Sequence, residues 1–153
     1  MAICKLMENA LEYGVEDRIH GIVSSIDKYE IKTGHYDLIL AISALEHVDS
    51  AETLEGKLKQ IRSGSRENGI VCLILNTAVQ ETNKTTGELL APQFEVNLAT
   101  EDMRQLLHRT FAGWEVLKET IVHQRYDILR GNSIAEIETD VVTYVIRKTA
   151  CQE

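Results

Sequence analysis

Two nearly continuous apolar runs, Tyr36–Ser43 (YDLILAIS) and Gly69–Thr77 (GIVCLILNT), constrain this chain more than any other feature. Both are rich in Ile, Leu and Val, and neither alternates with polar residues. Strands covered on both faces have this pattern, which points to a parallel sheet. Between the runs, Ser50 stands where a helix N-cap would, Leu54, Leu58 and Ile61 recur at helical spacing, and Gly64 falls near the end. Gly56 inside that helix costs about 1 kcal/mol relative to alanine, so the helix relies on packing. Strand, helix and strand in this order form a βαβ unit with a right-handed crossover.

The flanks fit around that unit. Ile3, Leu6, Met7, Ala10 and Leu11 put one apolar stripe on a helix. Gly14 suits the left-handed position after its end, with Val15 folding back on the last turn. No Ser, Thr, Asp or Asn precedes the stripe, so that helix starts without a side-chain cap. Ile19–Ile26 reads as a short strand weakened by Gly21. Ala78–Gln93 is polar, contains NKTTGE and the lone Pro92, and reads as a long loop. Thr100 is expected to cap a helix with Glu101 and Asp102 in its first turn. Met103, Leu106, Leu107 and Phe111 are its buried face, and Gly113 ends it. Trp114–His123 and Thr139–Lys148 alternate as strands do, and RGN at Arg130–Asn132 joins them in an antiparallel hairpin at the sheet edge.

At 153 residues the chain is one domain, 1–153, long enough to bury a core without staples. A net charge of −8 argues against an electrostatic nucleic-acid footprint. Cys4, Cys72 and Cys151 lie far apart and form no metal-ligand spacing, and their odd number suggests a reducing cytosol. No run approaches the roughly 20 apolar residues of a spanning helix, and no signal-peptide core is present, so a cytoplasmic protein without membrane contact is expected. The Asn83–Thr85 sequon then reads as chance. Glu46 and His47 are no metal pair, since neighbouring residues point apart and no third ligand has suitable spacing. No Gly-x-Ser-x-Gly elbow or P-loop is present to support a hydrolase or a nucleoside triphosphatase.

The order of elements, Tyr36–Val48 (YDLILAISALEHV) above all, together with FAGWEVL at Phe111–Leu117, resembles the class I S-adenosylmethionine-dependent methyltransferases, in particular the tellurite-resistance branch. The resemblance implies an α/β Rossmann-like sheet, mostly parallel with a C-terminal antiparallel hairpin. It implies methyl transfer from S-adenosylmethionine to a small-molecule acceptor. By position it puts Ser25, Ile26 and Asp27 beside the adenine, and Ser43 and Ala44 by the methionyl end. Glu46 falls with the cofactor-binding set at the edge of the acceptor pocket, and His47 is either a general base there or a polar turn residue. Asp37, Trp114 and Phe111 read as structural, and Tyr29 and Tyr36 as packing.

One departure accompanies the match. None of the nine glycines makes a G-x-G, and no strand is expected before residue 19. Against the family pattern, the first two strands and the glycine-rich loop are lacking, as in an N-terminally truncated domain. In the family those strands lie between its third and fourth, so Tyr36–Ser43 is left with an unpaired edge, a template for another chain. A homodimer is the expectation. A non-catalytic dimerising remnant, or a fragment completed by another chain, is the alternative to an enzyme.

Overall fold

The structure, a computed structural model, describes residues 2–149. Cys151 lies outside them. The elements are α1 (Ala2–Glu12), β1 (Tyr36–Ile42), α2 (Ala51–Gly64), β2 (Ser65–Asn83), β3 (Leu89–Leu90), α3 (Thr100–Thr110), β4 (Glu115–Arg130) and β5 (Ser133–Arg147). The sheet runs β1-β2-β5-β4, with β3 paired to β2 outside that path.

The βαβ unit forms as its sequence requires. β1 and β2 pair in parallel, Leu38 opposite Ile70 through Ile42 opposite Ile74. Ser50 caps α2, its Oγ accepting from Thr53 N at 3.1 Å. Helical spacing lays Leu54, Leu58 and Ile61 on the alternate side chains Val71, Leu73 and Leu75 of β2, and all six are at most 2% exposed. Met103, Leu106 and Leu107 of α3 cover the same face over Val142, Tyr144 and Ile146 of β5, closed by Phe111. Each such side chain contributes about 1.5–3 kcal/mol by leaving water. After α1, Gly14 takes φ 63°, Val15 N–H donates to Ala10 O and Gly14 N–H to Leu11 O, the paired bonds of a left-handed helix stop.

The sheet is mixed rather than mostly parallel: among the described residues β1–β2 is its one parallel pair, and β2–β5, β4–β5 and β2–β3 are antiparallel. The apolar run of β2 satisfies a buried central strand of either kind, so composition alone could not set the direction of its second neighbour. Ile19–Ile26 is not a strand. Among the described residues no strand pairs with it, and Ile22 and Val23 are 51% and 87% exposed. The loop expected over Ala78–Gln93 is half strand, because β2 continues to Asn83 against Ala135–Glu138 of β5 and Leu89–Leu90 pairs back on it. Thr100 is the first residue of α3 and not its cap; the cap position is Ala99, without a side-chain bond. The hairpin is longer than its alternation suggested and turns at Gly131–Asn132, where Gly131 (φ 61°) supplies the positive φ of a two-residue turn.

Among the described residues, one face of the sheet has no helix over it. Leu38, Leu40 and Ile42 point there from β1 and are 54%, 58% and 55% exposed. Alongside them Cys72 and Ile74 are half-buried. α1 packs on the segment that follows it, with Gly21 so close to Ile3 that an added Cβ would stand 2.9 Å from Ile3 Cγ2. The outer edge of β1 has no strand beside it among the described residues.

Candidate active site

The parallel pair brings the carboxyl ends of β1 and β2 together, and the chain is unusually shaped there. Ser43 leaves β1 with φ 44°, and a single 3-10 turn, Leu45–His47, follows. Ser43 N–H donates to Ile74 O at 2.8 Å, and Ser43 Oγ accepts from Asn76 Nδ2 at 3.2 Å. The turn swings Glu46 inward until it is fully buried. Its Oε1 accepts from Asn76 N at 3.1 Å and from Asn76 Nδ2 at 2.6 Å. Its Oε2 is buried and has no hydrogen-bond partner among the described residues. A buried acceptor without a donor costs free energy and asks for an explanation.

His47 turns outward. Its Nδ1 lies 3.0 Å from Glu95 Oε2, and its ring stacks on Phe94 with centroids 5.2 Å apart and planes 18° apart. The bond to His47, helped by the backbone, holds the Glu95 carboxyl below the usual range. Val96 N–H donates to Glu46 O at 2.9 Å. Three consecutive residues, 94–96, thus grip the turn that carries Glu46 and His47.

The segment before β1 completes the rim. Asp27 accepts from Ser25 Oγ at 2.9 Å and from Asp49 N at 3.3 Å. Ile26 packs against the core and, with Ala44, lines a cavity of about 470 Å³ along β1 that Tyr29, Tyr36, Leu40 and Lys57 also line. A larger cavity, about 670 Å³, lies at the far end of the sheet, where Arg62 donates to the Thr110 and Ala112 carbonyls. Its cations complement the ends of α2 and α3, so the carboxyl rim remains the candidate.

No family model matches the sequence, and no curated protein does. Solved structures do match. TehB from Haemophilus influenzae superposes with a TM-score of 0.69 at 15% identity, over 96% of this chain and 46% of TehB. A 1,6-didemethyltoxoflavin-N1-methyltransferase from Burkholderia thailandensis, solved with S-adenosylhomocysteine bound, gives 0.53 at 14% identity over 94% of this chain and 56% of its own. A SAM-dependent methyltransferase from Methanosarcina mazei gives 0.52 at 11% identity, over 84% of this chain and 66% of its own. The fold is that of the S-adenosylmethionine-dependent methyltransferases. The chain spans about half the length of the first of these structures.

In a methyltransferase fold, as in open α/β sheets generally, ligands meet the carboxyl ends of the strands. Ser43, Ala44, Glu46 and His47 are gathered there, and Asp27, bonded to Asp49 N, stands beside them with Ser25 and Ile26. Sequence reasoning missed Asn76, although a lone amide ending the run GIVCLIL signals a polar task at a strand end. It also missed Phe94 and Glu95, which no pattern marks. A second cluster on the same rim was missed too. His123 Nδ1 lies 3.0 Å from Asp140 Oδ1 and Nε2 lies 3.0 Å from Glu138 Oε1, while Thr100 Oγ1 donates to Asp140 Oδ2 at 2.9 Å. The bond to Asp140 first, then Glu138, raises His123 above its ordinary pKa, and His123 with Thr100 lowers Asp140. Asp37 pairs with Arg66 at 2.9 Å at the other end of β1. Phe111 is core, and Trp114 packs against it. Among the described residues no group of three potential ligands could hold a metal ion, and no helix is long and apolar enough to cross a membrane.

Proposed function

We propose that this chain binds S-adenosylmethionine against the carboxyl ends of β1 and β2 and transfers its methyl group to a small-molecule acceptor. The observation that carries this reading is the gathering of Ser43, Ala44 and His47, with Asp27 bonded to Asp49 N beside them, at the strand ends where ligands bind. Asp27, with Ser25 and Ile26, would take the adenine end, Ser43 and Ala44 the methionyl end, and His47 the acceptor side. The sulfonium supplies a methyl group that is already activated, so this chain's contribution is positioning. S-adenosylhomocysteine bound to the Burkholderia neighbour supports the ligand class.

The hold is weak in this reading, because no G-x-G loop approaches the ligand's carboxylate end and no strand-end acid grips its ribose. Each charge-assisted bond of that kind contributes roughly 1.5–3 kcal/mol, so two absent ones weaken binding about two to four orders of magnitude. Isothermal titration with S-adenosylhomocysteine tests it: saturable binding that Asp27→Ala weakens is the expected result. No heat at several millimolar ligand from a folded chain would leave the second reading, a scaffold that dimerises without catalysis. The bare β1 edge favours that second reading.

That edge also sets the partner. We infer a homodimer in which β1 pairs with its mate across a two-fold axis. Leu38, Leu40 and Ile42 carry no charge, so two copies meet there without like-charge repulsion although each chain carries −8. Sedimentation should show a concentration-dependent dimer; a monomer at every concentration refutes it.

A further inference from the structure

Glu95 belongs to no motif and lies 48 residues from His47 in sequence, yet its carboxylate meets the ring at 3.0 Å. We propose that Glu95 is a positioning residue that fixes His47 in the Nδ1–H tautomer, leaving Nε2 as a bare proton acceptor for a substrate that bears an ionisable O–H or N–H. The substrate class rests on the methyl-transfer reading above; the tautomer does not.

Three contacts support it. A carboxylate only accepts, so Nδ1 must carry the proton in the neutral ring. The stack on Phe94, 5.2 Å between centroids and 18° between planes, holds the ring plane in which Nδ1 faces Glu95. Val96 N–H to Glu46 O, 2.9 Å, holds the segment carrying Phe94 and Glu95 in register with the turn carrying His47. Nε2 then has no hydrogen-bond partner among the described residues, and the His47 side chain is 45% exposed at the rim. Glu95 stays ionised because the His47 bond holds its proton affinity down, against a smaller opposing push from Asp27. With a sulfonium methyl donor bound, the acceptor's proton would pass to Nε2, its freed electron pair would form the bond to the methyl carbon, and the carbon–sulfur pair would leave with sulfur. The imidazolium, opposite Glu95, returns its proton to water. An exposed pair of this kind contributes little to stability, so orientation is the effect left to it.

Long-range proton–nitrogen correlation of the 15N-labelled full chain, near pH 8 where imidazole is neutral and with no cofactor added, reads the tautomer directly. The expected wild-type pattern has Nε2 as the unprotonated nitrogen of His47. Glu95→Ala should move it toward the Nε2–H form that a free imidazole favours, whereas Glu95→Gln, whose carbonyl still accepts, should keep the wild-type pattern with an unchanged unfolding midpoint. An Nε2–H ring in the wild type, or a pattern that Glu95→Ala leaves untouched, overturns the proposal. Because no ligand is present, a failed titration with S-adenosylhomocysteine would remove the methyl-transfer reading without moving this result.

Discussion

Replacing Asn76 by alanine removes the only side-chain donor, among the described residues, to a buried carboxylate, which makes it the sharpest test of how this rim is built. Asn76 Nδ2 donates to Glu46 Oε1 at 2.6 Å and to Ser43 Oγ at 3.2 Å. The second bond ends on an exposed serine and contributes little. The first joins an amide to a carboxylate that is 0% exposed and already has one orphaned oxygen. A hydrogen bond to a charged group contributes about 1.5–3 kcal/mol, and the backbone bond from Asn76 N remains, so a loss of about 2 kcal/mol is expected. In a chain of this size that lowers the thermal midpoint by about 4–8 °C. Urea unfolding followed by circular dichroism measures it directly. Repeating the substitution in a Glu46→Gln background separates charge from shape: with a neutral acceptor the loss should fall to about 1 kcal/mol. A loss under 0.5 kcal/mol, or one equal in both backgrounds, would refute the account of Glu46 as a buried charge held by Asn76.

Three further outcomes are expected. His123 is raised above its reference of 6.5 and Asp140 is lowered below 3.8, so their bond stabilises between those limits and fades as pH climbs through the raised histidine value. The stability gap between wild type and His123→Gln should therefore be widest near pH 5–6 and shrink in mild alkali; a gap that grows with pH contradicts the geometry. Gly64→Ala would place a Cβ 2.5 Å from Ile31 Cγ2, and overpacking of that kind costs about 1–3 kcal/mol in a chemical melt. Leu40→Lys should abolish the dimer in sedimentation while leaving the helical and strand signals intact, since Leu40 is 58% exposed.

What could be read from the residues alone was local and periodic. The βαβ unit, the Ser50 cap, the Gly14 stop and the core faces of α2 and α3 each follow from spacing within one element, and each is present. What failed depended on neighbours. Ile19–Ile26 has the composition of a strand, but backbone groups need a partner ladder, and none stands beside it. Ala78–Asn83 looks like loop, yet β5 is long enough to recruit it. Thr100 was read as a cap because its own neighbours suit one; its hydroxyl instead bonds Asp140 and Thr77 from distant strands. At the site the same division holds. Ser43, Glu46 and His47 are adjacent in sequence and were found together, whereas Asn76 and Glu95 arrive from 30 and 48 residues away from their partners.

The position of β2 in the sheet has a kinetic consequence. One of its edges is filled by β1, which precedes it closely, but the other waits for β5, whose Val141–Arg147 pair with Ile70–Asn76. During synthesis, then, the apolar run Ile70–Leu75 of β2 stays half-bare until residues near 147 have left the ribosome, and α3 cannot seat on its floor of Val142, Tyr144 and Ile146 before that. Closure of a sheet across so long a stretch of chain is slow, on the scale of milliseconds to seconds, and its waiting intermediate is the species most exposed to aggregation.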